Sequence, residues 1–179
     1  MILAATFSGE PARGEPLPAT GSREALFAPW DPIEPTLLDL IRAARHQIRV
    51  QAYAFTSREI AEALVGAHRR GVDVAVLADA EMNRRPSGNR IPNLLAAGIP
   101  VAFETRYNAA HNKVLLIDAN TRAAVIVTGS YNFTWSARER NAENVLIVRG
   151  DRSLAARYLA NWERHRADAI PIHQLPFVP

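Results

Sequence analysis

The chain has 179 residues, 48% of them hydrophobic, with 21 lysines and arginines against 18 aspartates and glutamates and a net charge of +3. That length and apolar content suit one globular domain with a proper core, no apolar run reaches membrane-spanning length, and the absence of cysteine excludes disulfides, a thiolate nucleophile and a cysteine metal site. A charge of +3 is compatible with a polyanionic partner but is no electrostatic argument for one.

In chain order, residues 1–24 open with a brief apolar stretch and then turn to Pro, Gly and Glu. They lack the cationic start and long apolar core of a secretory signal, so they read as a flexible arm or a signal remnant. Residues 33–47 place Leu37, Leu40, Ile41 and Ala44 at helical spacing, with Pro35 near the start. Residues 48–55, "IRVQAYAF", alternate and are rich in β-formers, which predicts a strand. Ser57 is placed to cap a helix over 58–70 that Gly71 ends. A buried strand over 72–79 follows, then the loop "AEMNRRPSGNR", a short helix over 91–97 closed by Gly98, and a third strand over 99–105. Residues 112–118 and 123–130 read as a hairpin around "ANTR", and 144–150 as a further strand. Asp151 can cap a last helix over 152–166, before a Pro-rich tail at 169–179.

This alternation predicts an α/β fold with a mixed β-sheet sandwiched between helices. No linker interrupts residues 25–168, which are expected to form one domain, and no tandem repeat is present.

One octapeptide, "HNKVLLID" at 111–118, holds Lys113, the only lysine in the chain. If the strand over 112–118 continues back to His111, then His111 and Lys113 point to the same face, because side chains alternate. Ser130 and Asn132 in "GSYN" are also two apart, on the partner strand of the hairpin. An imidazole, an ammonium and an amide can therefore converge on one patch, and Glu143 stands just before the next strand. An ammonium and an amide N–H are donors for a tetrahedral oxyanion, and a histidine can be nucleophile or acid. Glu143 can accept a proton from the other ring nitrogen and fix the tautomer. No carboxylate pair and no histidine cluster has metal-ligand spacing nearby, so no metal or other cofactor is expected. Phosphodiester attack without a metal suits the set best. Each element alone is weak, since a lone histidine on a strand is more often structural; the ordered combination is far more specific.

The order His111-x-Lys113-x4-Asp118, followed by Gly129-Ser130-x-Asn132, resembles the motif of the phospholipase D superfamily. The stretches "AYAFTSREIAEALVGAHRRGVDVAVLAD", "GIPV" and "NAENVLIV" are similar to its short bacterial nuclease branch, and the likeness runs from about residue 25 to 166. In the family pattern six residues separate the Asp from the Gly-Ser; here ten do. An insertion shared as two residues per strand would preserve the facing of every side chain. The resemblance implies that His111 attacks phosphorus to form a covalent phosphohistidine, that Lys113 and Asn132 hold the non-bridging oxygens, and that Glu143 orients the imidazole. Gly129, Ser130 and Asp118 are supporting residues, Asp118 mainly a structural one.

One histidine cannot be neutral nucleophile and protonated acid in the same step. His46, His165 and His173 have no cation two residues on, and His68 with Arg70 falls in a predicted helix, where such positions diverge. The expectation is therefore a homodimer whose two motifs meet at the two-fold interface.

The substrate expected first is nucleic acid, DNA and also RNA, cleaved without sequence preference. The runner-up is a lipid phosphodiester such as cardiolipin, and a third reading is an idle nucleic-acid-binding module. Arg84, Arg85 and Arg90 lie in the loop after the second predicted strand, a usual place for ligand contacts in α/β sheets, and Arg138 and Arg140 can extend the same rim. Tyr107, Tyr131, Phe133 and Trp135 can stack bases, although aromatics beside a sheet are more often core. The resemblance also allows a periplasmic or secreted location, without a clear signal peptide in the sequence.

Overall fold

Apolar alternation along the strands decides how the layers stack. The computed structural model describes residues 16–84 and 88–175. Its strands are β1 (Ser22–Ala28), β2 (Gln47–Ala52), β3 (Asp73–Asp79), β4 (Val101–Glu104), β5 (Lys113–Ile117), β6 (Val125–Gly129), β7 (Glu143–Arg149) and β8 (Ile170–Pro171). The helices are α1 (Ile33–Ala43), α2 (Arg58–Arg69), α3 (Ile91–Ala96), α4 (Trp135–Glu139) and α5 (Arg152–Asp168). The strands form one sheet in the order β1-β7-β6-β5-β2-β3-β4-β8. β2, β3 and β4 run parallel and the other pairings are antiparallel, so the sheet is mixed, as the sequence predicts.

Odd and even positions divide cleanly between the faces. Leu115 and Ile117 of β5, Val127 of β6 and Val145 and Ile147 of β7 pack under α1 to α4, with Ile41, Leu64, Leu94 and Ala137 from the helices. Val114, Leu116, Ile126 and Val148 face the other way, against Ala155, Leu159 and Trp162 of α5. Those three recur at helical spacing, and the Trp162 indole N–H donates to the Val50 carbonyl at 3.0 Å.

The helix boundaries follow the expected caps. Ser57 Oγ accepts the Ile60 N–H at 3.2 Å and Asp151 accepts the Leu154 N–H at 3.0 Å, each satisfying a donor the first helical turn leaves free. Gly71 follows α2 with φ +88°, the left-handed turn that ends a helix cheaply only at glycine.

Several boundaries differ from the sequence reading. β1 starts at Ser22, inside the segment expected to be an arm; it pairs with β7 from Ser22 opposite Arg149 to Ala28 opposite Glu143. As an edge strand it buries only Leu26 and Ala28, so its hydrophobic pattern is too short to register. Residues 1–15 lie outside the described residues. In the expected tail, Ile170 and Pro171 pair with Phe103 and Ala102 of β4, where a proline is tolerated because this is the other edge. β2 ends at Ala52 rather than at Phe55, which instead bridges to Phe133. The segment "WSARE", to which the sequence reading assigns no element, is helix α4, capped by Thr134 Oγ1 accepting the Ala137 N–H at 3.2 Å. The extra length between Asp118 and Gly129 is not shared between the strands. Ile117 pairs directly with Val125, and residues 118–124 form the connection. Register is kept because the insertion stays outside the ladder.

Candidate active site

The C-terminal ends of β2, β3, β4 and β6 and the N-terminal ends of β5 and β7 lie at one end of the sheet. Ala52 pairs with Lys113 and Gly129 with Val145, so these four positions mark the last rung there. Tyr53, His111 and Ser130 come just beyond that rung, and Glu143 opens β7 beside them.

β5 begins at Lys113, so His111 precedes the strand rather than belonging to it. The two residues nevertheless meet: the Lys113 ammonium donates to the His111 carbonyl at 2.9 Å. Lys113 is 7% exposed, whereas His111 is exposed. Burial pushes the Lys113 ammonium below the ordinary lysine range, and the negative charge of Glu143 offsets part of that shift. An ammonium carries three donors, so the bond to His111 leaves it capacity for a ligand.

Gly129 and Ser130 are fixed by close approach of β7. A Cβ on Gly129 would stand 2.2 Å from the Asn144 carbonyl oxygen, so no larger residue fits without parting the strands. Ser130 donates its hydroxyl to Glu143 Oε2 at 2.5 Å and accepts the Asn144 N–H at 3.0 Å. Glu143 Oε1 accepts from Asn141 Nδ2 at 2.8 Å. Among the described residues, then, both Glu143 oxygens are engaged by neighbours other than His111. The carboxylate–imidazole contact expected of Glu143 is not made within one chain. Asn132 is half-buried, and its buried Oδ1 has no hydrogen-bond partner among the described residues.

Asp118 is placed elsewhere. It follows β5 at the opposite end of the strand, about 16 Å from Lys113 by strand rise. Its carboxylate accepts the N–H groups of His46 and Gln47 at 2.8 Å each and of Arg45 at 3.1 Å, tying the start of β2 to the end of β5.

Three residues of the site end escape the spacing argument. Tyr53 leaves β2 and contacts both members of the His111–Lys113 pair: its ring centroid is 4.3 Å from that of His111 and 4.7 Å from the Lys113 ammonium. Asp79, buried at the end of β3, accepts the Ala110 N–H at 2.7 Å and so anchors the residue before His111. Asn83 donates to the carbonyls of Tyr53 and Asp79, at 2.8 Å each, and accepts the Phe55 N–H at 3.2 Å. Their one signal in the sequence is position, at or just past the C-terminal ends of parallel strands.

The arginines part company. Arg84 is exposed and pairs with Glu81 at 3.6 Å. Arg85 lies outside the described residues. Arg90 is half-buried, its Nε has no partner among the described residues, and it borders the grooves on either side of Arg58. Arg138 is not a free rim cation. It is held by Glu34 at 2.8 Å, Glu59 at 3.2 Å and Glu139 at 2.6 Å, which raise its pKa further and commit its charge to joining α1, α2 and α4. Arg140 lies over the Trp135 ring at 4.6 Å, and Trp135 and Tyr107 are exposed. Tyr131 and Phe133 are core.

Among the other histidines, His165 pairs with Glu104 and its ring lies 5.4 Å from that of Tyr107; it forms no second His–Lys pair. Among the described residues, no three His, Cys, Asp or Glu side chains cluster as metal ligands would, and no helix is long and apolar enough to cross a membrane.

The fold and sequence of this chain recur in known proteins. The family described as "Cardiolipin synthase, PLD-like domain" matches residues 37–166. A protein named "Phospholipase D" from Rickettsia prowazekii is 38% identical over 137 residues, 76% of this chain and 64% of that protein. "Mitochondrial cardiolipin hydrolase" of Mus musculus is 34% identical over 128 residues, 72% of this chain and 55% of its own length. The chain thus spans about three fifths of the length of these curated relatives. Among solved structures, Nuc from Salmonella typhimurium, a phospholipase D family member, superimposes with a TM-score of 0.77 at 30% identity, over 85% of this chain and 98% of Nuc. NucT from Helicobacter pylori shares the fold, with a TM-score of 0.76 at 21% identity. On the family match and these likenesses, the chain belongs to the phospholipase D superfamily.

Proposed function

We propose that this chain is a metal-independent phosphodiesterase, an endonuclease without sequence preference, acting as a homodimer. The observation that carries the reading is the meeting of His111 with a buried ammonium at the sheet end where Ser130, Asn132 and Glu143 also emerge. In the first step a ring nitrogen of His111 attacks phosphorus; a phosphorus–nitrogen bond forms and the bond to the leaving oxygen breaks. Lys113 and the Asn132 amide stabilise charge on the non-bridging oxygens. The leaving oxygen takes its proton from a second imidazole, which has to come from another copy of the chain. Water then attacks the phosphohistidine: a phosphorus–oxygen bond forms, the bond to the His111 nitrogen breaks and frees that imidazole, and a proton of the water goes to the second imidazole. The products are an alcohol and a phosphomonoester.

Glu143 supplies the counter-charge of Lys113. Its contact with an imidazole, not made within the chain, falls to the second copy. A nucleic-acid substrate is supported by the likeness to Nuc over nearly all of that protein's length. The exposed Trp135 with Arg140 stacked on it offers a base platform beside a cation, and Arg84 and Arg90 lie on the loop after β3. A second reading, hydrolysis of a lipid phosphodiester, is supported by the names of the curated relatives and by Trp30 and Phe27. These are 81% and 49% exposed and lie at the end of β1 that pairs with Glu143.

One experiment separates the readings. Purified protein is incubated with plasmid, RNA and cardiolipin vesicles in excess EDTA, beside His111→Ala. Nicking that resists EDTA and is lost in His111→Ala is the expected result. Turnover of lipid alone replaces the first reading with the second, and binding without cleavage removes both. Sedimentation that shows an active monomer would end the two-histidine mechanism.

A further inference from the structure

We propose that Tyr53 is a positioning residue: its ring seats the His111 imidazole and holds Lys113 in its charged form. The inference rests on the reading of His111 and Lys113 as the reacting pair, and it goes beyond the motif, which contains no residue of β2. Three observations support it. The ring touches both partners at once, with the imidazole tilted 60° against it and the ammonium 4.7 Å from its centroid. That is within range for attraction between a cation and an aromatic face.

The backbone of Tyr53 is also held from both sides. Its N–H donates to the Asn112 carbonyl at 3.0 Å and its carbonyl accepts from Asn83 at 2.8 Å. Asn83 and the residue before His111 are both anchored to Asp79, the first through its carbonyl and the second through its carboxylate. The main-chain segments that carry ring and imidazole are therefore tied to one shared support.

Finally, the ammonium needs the help. It is 7% exposed, and burial favours its neutral form. The charged or titratable groups near it are Glu143 from β7 and Tyr53 itself, just past β2; its hydrogen bond goes to the main-chain carbonyl of His111. Of these only Glu143 is an anion. The electron-rich ring face acts in the same direction as Glu143, and a neutral lysine would lose the positive charge that attracts a phosphate oxygen.

Lys113 being the only lysine makes the idea directly measurable. Protein labelled with carbon-13 at lysine Cε gives one side-chain signal, and its titration reports this ammonium without an activity assay. Three chains are compared: wild type, Tyr53→Phe, which keeps the ring face, and Tyr53→Leu, which keeps bulk and loses it. Tyr53→Met serves as a second ring-free variant should Tyr53→Leu fold poorly. The expected result is that the Lys113 midpoint falls by about 0.4 to 1.5 pH units in the ring-free variants and stays with wild type in Tyr53→Phe. Turnover of bis(p-nitrophenyl) phosphate should follow, with kcat about tenfold or more lower in Tyr53→Leu, its alkaline limb moved to lower pH, and Tyr53→Phe restoring both. A midpoint that is unchanged or raised without the ring overturns the proposal, as does Tyr53→Phe behaving like Tyr53→Leu. The control is His111→Ala. If that variant keeps its turnover, the reading of the site fails; if it is inactive while Tyr53→Leu matches wild type, the inference about Tyr53 alone fails.

Discussion

β5 does opposite things at its two ends. At Asp118 a buried carboxylate is fully answered by three main-chain N–H groups and joins two strands. At Lys113 a buried ammonium spends one donor on a carbonyl, and at the same end of the sheet the Asn132 amide oxygen has no partner among the described residues. Burial without partners costs free energy, so folding alone favours the Asp118 arrangement. The polar groups left under-committed at the Lys113 end are the ones available to a ligand. On the proposed function, two residues of one short motif, at the two ends of one strand, are thus divided between holding the sheet and meeting a substrate.

That division can be broken by substitution. The largest effect is expected at Lys113→Arg, where a planar fork replaces a compact ammonium in a buried place. Phosphodiester turnover should fall about 10² to 10³-fold in kcat. Because burial depresses the Lys113 pKa, activity that needs the ammonium should be lost, as pH rises, below the ordinary lysine range; a pH–rate profile of the wild type checks this. Full activity in Lys113→Arg would undo the site end of the comparison.

Asp118→Ala is the converse test. Three part-buried main-chain donors lose their acceptor, so unfolding in denaturant should show a loss of about 3 kcal/mol. The kcat of the protein that remains folded should stay within about twofold of wild type. A large fall in kcat without a loss of stability would place Asp118 among the reacting groups.

Gly129→Ala sharpens the boundary between the two functions. Its Cβ would meet the Asn144 carbonyl at 2.2 Å, and relieving that overlap should cost about 1 to 3 kcal/mol. Since β6 and β7 also carry Ser130 and Glu143, activity should fall along with thermal stability, unlike in Asp118→Ala. The smallest change is expected at Thr121→Ala. Thr121 Oγ1 bonds the Asp118 carbonyl at 2.9 Å and accepts the Ala123 N–H at 3.0 Å. Its loss should lower stability by about 0.5 to 1.5 kcal/mol and leave kcat unchanged.

How far the sequence could be read depended on how locally each feature is specified. α2 was legible because its cap, apolar stripe and terminal glycine all lie within one short segment, and Ser57 caps it as expected. β5 and β6 were legible as long apolar runs that pack on both faces. β1 and β8 were not, because an edge strand is made by its partner: β1 exists through the backbone of β7, and β8 through that of β4. Arg138 shows the same limit in a side chain. Its neighbours in sequence suggest a rim cation, while Glu34, more than a hundred residues earlier, neutralises it.

The sequence by itself determined the α/β order of the elements, the helix caps and the residue types of the site, because periodicity, capping and the spacing of His111, Lys113, Gly129, Ser130 and Asn132 are properties of short stretches. Tertiary structure decided which of those residues share a place. Only the pairing of β2 with β5 brings Tyr53 against His111 and Lys113, and only the approach of β7 to β6 commits Glu143 to Ser130 and Asn141 instead of the imidazole of its own chain. Contacts between distant segments depend on strand order and register, and those are settled when the whole sheet closes on its two cores.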